Sequence, residues 1–260
     1  MPEAQADGPE FSVIIPCLNE EANVAAIVAA VTGQLESVHG SFEIILIPNP
    51  APSDAGDDSP AVAASLAERL PHVRVCTHEG GPGKGGALRS GFAQSRGEWL
   101  YFTDADLPYD LEFFDRAANE LSNGVEFVTG NRRMPVSQFD IPVRLLPLAY
   151  RRHRLGVVFN RFVRLLMPID TTDTQAGAKA MSRRMAVAAF GRQTCTGFFF
   201  DLEFFLTARR QGFRQKELPV TLYLNSEKST VRVLRESALA VYWLFRIFWQ
   251  DRRRAYEAAR

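Results

Sequence analysis

The sequence predicts an α/β fold with a mostly parallel central sheet. Two observations carry this. Short apolar, β-branched and aromatic runs alternate with helix-length segments, and polar or glycine-rich turns fall where the runs stop. The 260 residues fit one domain with a sizeable core, and no internal repeat or low-complexity linker divides them. Phe11–Ile15 reads as the first strand, followed by a helix that Asn19 can cap, with Glu20 and Glu21 in its first turn. Phe42–Ile47 is the second strand, followed by a Pro/Asp/Ser loop and a helix near Ser59–Leu70. Val73–Thr77, Glu98–Thr103 and Val125–Thr129 continue the sheet, with helices near Lys84–Ser95 and Asp110–Leu121. Residues 132–147 read as an irregular, mobile loop over the site. The polar stretch 1–10 reads as a disordered N-terminus unlike a signal peptide, 11–230 as the globular domain, and 231–260 as an amphipathic helical tail.

Asp104-Ala105-Asp106 stands at the end of the aromatic run Trp99–Thr103. In open α/β sheets ligands gather at the carboxyl ends of strands. Carboxylates at i and i+2 around a small residue can share one hard cation, Mg²⁺ or Mn²⁺, with the oxygens of a diphosphate. A bare D-x-D is more often a pair of turn aspartates, but its neighbours shift the balance. One helix upstream runs Gly80-Gly81-Pro82-Gly83-Lys84-Gly85-Gly86-Ala87-Leu88-Arg89-Ser90-Gly91. Its glycines admit close backbone approach, the helix N-terminus favours an anion, and Lys84 and Arg89 supply cations. Gly85 follows the lysine where a P-loop has Ser or Thr, which argues against a P-loop ATPase.

Other chemistries find no support. Cys17, Cys76 and Cys195 are far apart and in no metal-binding spacing, which suggests buried thiols in a reducing compartment. The four histidines do not cluster, so neither a zinc site nor a Ser-His-Asp triad is indicated. Formal net charge is zero, yet no Lys or Arg precedes Arg69, whereas Arg132 to Arg164 holds eight arginines with Asp140 as the only acid. Such a block is either a solvated face or a surface for diphosphate and anionic headgroups. No apolar stretch reaches the roughly 20 residues of a membrane span. From Ala238 to Trp249 the only charge is Arg246, amid five aromatics. That stretch suits an interfacial helix, or one packed on its own sheet or on a second subunit as a homo-oligomer contact.

Taken together, these segments resemble the inverting family-two glycosyltransferases of the glycosyltransferase-A fold, within them the polyprenyl- or dolichyl-phosphate hexose synthases. The matching stretches are Phe11–Glu21, Gly83–Ala87, Thr103–Leu107, Thr129-Gly130-Asn131-Arg132, Asp173–Ala180 and Phe200-Asp201-Leu202-Glu203, in the family's order from about residue 11 to about residue 235. The resemblance implies a glycosyltransferase-A, Rossmann-like domain, a nucleotide-sugar donor, a lipid phosphate acceptor, an Mg²⁺ or Mn²⁺ cofactor and no nucleic-acid partner. It implies a protein at the cytoplasmic face of a membrane, attached to an anionic surface.

Residue by residue, the resemblance sets Pro16, Asn19 and Glu20 against the nucleotide, with Lys84, Gly85 and Ala105 also on the donor side. It makes Asp106 the metal ligand, with Asp104 contacting ribose, metal or its water. Arg132 is expected at the diphosphate, with Arg133 peripheral. Asp173 and Gln175 fall on the acceptor side, and Asp201 serves as positioning group or base. Many relatives carry Asp-Asp-Gly-Ser after the second strand. Here Pro48-Asn49-Pro50-Ala51 stands there, so Asn49 replaces a carboxylate with an amide, and Asp54, Asp57 and Asp58 read as solvated turn residues. Pro108 stands where some mannose synthases have a Gln ligand. UDP-glucose is the first expectation and GDP-mannose the second. The alternatives are a soluble acceptor on the same fold, or a non-catalytic sugar-nucleotide binder.

Overall fold

The computed structural model describes residues 8–38, 40–48, 56–78, 83–106, 108–224 and 233–258, without the side chains of 37, 38 and 233–238. Among them the chain alternates strand and helix through its first half: β1 (Phe11–Cys17), α1 (Val24–Val38), β2 (Phe42–Pro48), α2 (Ser59–Arg69), β3 (Val73–Val75), α3 (Lys84–Gln94), β4 (Trp99–Phe102), α4 (Glu112–Ser122) and β5 (Phe127–Asn131). The second half adds β6 (Gln138–Asp140), a 3₁₀ turn at Val143–Leu145, α5 (Leu146–Leu166), β7 (Lys179–Ser182) and α6 (Arg183–Arg192). It continues with α7 (Phe200–Gln211), β8 (Gln215–Pro219), β9 (Thr221–Tyr223) and α8 (Val233–Arg252).

Seven strands form one sheet in the order β3-β2-β1-β4-β7-β5-β8. All run parallel except β7, which pairs antiparallel with both β4 and β5. Side chains alternate between the faces of a strand. Ile14, Ile45 and Ile47 therefore point into one core with α3, α6, α7 and α8. Val13, Ile15, Ile44 and Leu46 point into the other with α1, α2 and α4. Both faces are covered, which is why β1 and β2 read as nearly continuous apolar runs.

Local chemistry sets several ends. Ser182 caps α6 by accepting a hydrogen bond from the Met185 amide at 3.2 Å. Gly212 closes α7 in the left-handed region at φ 73°. Asn19 does not cap α1. It sits at φ 54° in a turn, and the chain turns at Glu20–Asn23 before α1 begins at Val24. Residues 132–147 are more regular than expected, because β6 pairs with β9 in a separate two-stranded sheet.

The tail is part of the domain. Leu244, Ile247 and Tyr256 are buried in the first core. Arg210 forks onto Asp251 at 2.7 and 2.6 Å, and Tyr256 Oη donates to buried Glu203 at 3.0 Å. Tyr242, Phe245 and Trp249 remain more than half exposed on the outer face of α8. The three cysteines are buried, and burial pushes the thiols of Cys17 and Cys195 up to about 12.

Candidate active site

The carboxyl ends of β1 and β4 lie side by side, because those strands are paired neighbours. Asp104 and Asp106 follow β4, Glu20 follows β1, and all three carboxylates lie within electrostatic reach of one another. Partial burial, then repulsion from Asp104 and Glu20, pushes the Asp106 carboxyl up to about 6 although one side of it faces solvent. Ala105 turns inward and is buried in the second core. The turn at Asn19 and Glu20 is held from outside. The Glu20 amide donates to Ser59 Oγ at 2.8 Å, and Asp57 accepts from the Ser59 amide at 2.9 Å and from the backbone of Asn19. Asp57 is therefore a brace for the turn at Asn19 and Glu20 rather than a solvated residue. Pro16 is in β1, paired in register with Ile47. Asn49, Asp54, Leu107 and the stretch Gly80–Pro82 lie outside the described residues.

Lys84, the first residue of α3, is largely buried and pairs with Asp104 Oδ1. Burial works against its ammonium, but Asp104 and Asp201 outweigh that and hold it above the ordinary lysine range. The glycines beside it serve the protein's own backbone. A Cβ on Gly83, whose φ is 145°, would strike the Thr196 carbonyl, and one on Gly85 would come within 2.9 Å of the Cys195 carbonyl and Phe200. The Gly86 amide donates to Thr196 O at 3.0 Å. The start of α3 is thereby locked to residues 193–200, joining the two halves of the site.

The second half closes from the reversed strand. Lys179 opens β7, is 1% exposed, and stands 2.9 Å from Asp201 Oδ1 as an ion pair without hydrogen-bond angles. It also donates to the carbonyls of Thr174 and Ala176. Burial lowers the lysine and raises the aspartate, and their mutual attraction opposes both shifts. Glu203 points elsewhere. Residues i and i+2 of a helix lie on opposite sides, so Asp201 faces Lys179 while Glu203 accepts from the amides of Thr194 and Cys195 and from Tyr256.

Arg132 follows β5 and forks onto Asp173, Nε to Oδ2 and Nη2 to Oδ1, both at 2.7 Å. Its predicted diphosphate contact thus starts from a guanidinium already engaged by a carboxylate. Arg133 donates to the Thr172 carbonyl. Gln175 donates its amide to Asp173 at 3.4 Å, and its side-chain Nε2 is buried and, among the described residues, without a hydrogen-bond partner. Tyr109 is buried and accepts from the Gly177 amide at 3.1 Å. A Cβ on Gly177 would collide with Asp104 Oδ2, so only a glycine lets the backbone pack this closely against that carboxylate.

Of the predicted residues, the structure brings together Glu20, Asp104, Asp106, Lys84 and Asp201, with Arg132 and Asp173 adjoining through Tyr109. Sequence reasoning missed Tyr109, and it gave no individual role to Lys179 or Gly177 although both lie in the stretch Asp173–Ala180. Lys179 had a signal: the chain has four lysines, and this one interrupts an otherwise small and apolar run.

The carboxylates suit a hard divalent ion. Asp104 and Asp106 offer only oxygen donors, and Asp106 has one side toward solvent. Among the described residues no group of three or more metal-ligating side chains occurs, so further ligands would come from a substrate or water.

A mostly parallel sheet with one reversed strand and carboxylates after β4 defines a glycosyltransferase-A-like α/β architecture. Glucosyl-3-phosphoglycerate synthase from Mycobacterium tuberculosis, solved with Mn²⁺, uridine diphosphate and phosphoglyceric acid, superposes on it with a TM-score of 0.64 at 18% identity. The superposition covers 97% of this chain and 80% of that one. The model of glycosyl transferase family 2 matches residues 12–189, and the chain belongs to that family. Glycosyltransferase AglD of Haloferax volcanii is 31% identical over 84% of this chain and 34% of its own. Dolichyl-phosphate beta-glucosyltransferase of Dictyostelium discoideum is 27% identical over 82% of this chain and 66% of its own. The human protein of that name is 28% identical over 77% and 63%. The chain spans about a third to two thirds of the length of these relatives.

Proposed function

We propose that this chain is a metal-dependent hexosyltransferase that moves a sugar, with inversion, from a nucleotide sugar to a polyprenyl phosphate. The observation that carries it is the meeting of Asp104, Asp106 and Lys84 on the donor side with Asp201 and Lys179 at the end of the same sheet. The relatives named dolichyl-phosphate beta-glucosyltransferases support both the lipid acceptor and glucose, so UDP-glucose is the favoured donor and GDP-mannose the second.

Asp104 and Asp106 would hold Mg²⁺ or Mn²⁺, which supplies charge neutralisation for a leaving diphosphate. Lys84 orients Asp104 and adds a fixed positive charge. Pro16, Asn19 and Glu20 line the nucleotide side. Arg132, held by Asp173, presents the rest of its positive charge to the same region. The buried, unpartnered Gln175 Nε2 is a donor available to the sugar or acceptor. A phosphate acceptor is already a nucleophile at neutral pH, so Asp201, ion-paired to Lys179, acts as a positioning group and not as a strong base. The lipid phosphate attacks the anomeric carbon from the face opposite the departing nucleoside diphosphate.

No helix among the described residues is long and apolar enough to cross a membrane. The exposed aromatics of α8 suit attachment at a membrane surface. A radiolabelled donor screen, UDP-glucose and GDP-mannose against polyprenyl phosphate and water-soluble acceptors with and without Mn²⁺, tests the reading. Label entering the lipid fraction only with metal is the expected result. Label entering only a soluble acceptor overturns the lipid assignment, and donor binding without transfer to any acceptor overturns the enzyme.

A further inference from the structure

Helix α5 is built unlike the rest of the surface. Among the described residues, eight of the seventeen exposed large apolar side chains fall between Val143 and Leu165. Leu155, Val158, Phe162 and Leu165 recur at i, i+3, i+7 and i+10 and so share one stripe. They are 52%, 54%, 53% and 77% exposed. The opposite side anchors the helix, with Asn160 and Val163 buried and Phe159 against Phe199 at 5.5 Å between ring centroids. Arg154 and Arg161 border the stripe, Arg151 and Arg164 add charge, and α5 contains no Asp or Glu. An exposed apolar stripe rimmed by charge marks an interaction surface.

Charge decides what it fits. A second copy docking α5 on α5 by two-fold symmetry would set arginines against arginines with no acid on the helix to neutralise them. An anionic bilayer offers headgroups to the arginines and the acyl boundary to the stripe. The location is suited to an acceptor delivered from that surface. The inner side of α5 reaches Arg133, since a Cβ on Gly156 would lie 3.2 Å from its Nη2, and Phe199 leads directly into Phe200 and Asp201. We infer that α5, more than α8, docks this protein on an anionic lipid surface and sets the acceptor side of the site at headgroup level. The second clause rests on the polyprenyl phosphate reading; the docking itself does not.

Flotation with vesicles of phosphatidylcholine plus phosphatidylglycerol, and of phosphatidylcholine alone, tests it on the full chain. The protein should float with the anionic vesicles, less with the neutral ones and less in high salt. The pairs Val158→Asp with Phe162→Asp, and Arg154→Glu with Arg161→Glu, should each lower vesicle partition at least about tenfold, with unchanged circular dichroism and melting. Phe245→Asp in α8 should lower it less. Both α5 variants should keep wild-type turnover on a short, water-soluble prenyl phosphate and lose it on vesicle-embedded acceptor.

A wild-type chain that ignores anionic vesicles overturns the inference, and so do α5 variants that float normally while Phe245→Asp does not. A dimer that the α5 variants dissociate, without vesicle binding by the wild type, assigns the face to self-association and also overturns it. Flotation that depends on α5, with no transfer to any prenyl phosphate, upholds docking and removes the acceptor reading.

Discussion

Asp106 and Arg132 pose opposite electrostatic problems, and each yields a prediction. Asp106 sits among carboxylates with little positive charge beyond Lys84, so a divalent ion would relieve it. Asp106→Ala should cut turnover at least about a hundredfold, since losing one stabiliser of developing charge commonly costs 10²–10³, and chelator should abolish it. A near-normal rate in the variant would show that the carboxylate is only a turn residue. Arg132 is forked onto Asp173, which is 2% exposed. Burial alone would raise the Asp173 carboxyl, but Arg132 outweighs it and holds the group below its ordinary 3.8. A depressed folded-state value means stability fully present above about pH 4 and lost as pH falls through the depressed value. Asp173→Asn should cost about 2 kcal/mol at neutral pH by taking the carboxylate from a partly buried guanidinium, and the gap to wild type should narrow in acid unfolding curves. Arg132→Lys, which keeps charge but not the fork, should reduce turnover more than Arg133→Lys. The carboxylate pair and Lys84 were legible in sequence because strand end, small spacer and glycine loop are local patterns. The Arg132–Asp173 and Lys179–Asp201 partnerships were not, since their members lie 41 and 22 residues apart and only the folded sheet joins them.

Among elements, the parallel strands announced themselves through apolar runs buried on both faces. By contrast, β6 and β9 are three-residue strands without full burial, too short to carry a period, and the reversal of β7 is a tertiary fact that no local pattern encodes. The loop before β7 can be probed at one atom. Gly177→Ala places a methyl against Asp104 Oδ2 and Tyr109, so metal activation should require higher Mn²⁺ in a titration while the melting temperature changes little. For α8, sequence weighed an interfacial helix against a packed one, and the fold packs one face and leaves the other open. A chain ending after Arg235 loses Leu244, Ile247 and Tyr256 from the core, together with the Arg210–Asp251 fork and the Tyr256–Glu203 bond. It should therefore unfold or aggregate, visible as loss of cooperative melting. The milder Tyr256→Phe should cost about 1 kcal/mol.

For the molecule as a whole, the reversed strand has a consequence for how the chain is made. β3, β2, β1 and β4 come from the first 102 residues and can associate early, but the free edge of β4 waits for β7, whose partner residues such as Met181 lie about 80 positions later. Until then Trp99–Phe102 is an open apolar edge, the kind of template on which chains pair wrongly. Contacts of such long sequence separation also slow folding. On the ribosome, the N-terminal half must hold that edge unpaired through the synthesis of α4, β5 and α5. Gly177 and Lys179 arrive with the strand that seals it, so the step that ends the aggregation risk is also the step that assembles the site, and a nascent chain stalled before residue 180 should be a chaperone client with no activity.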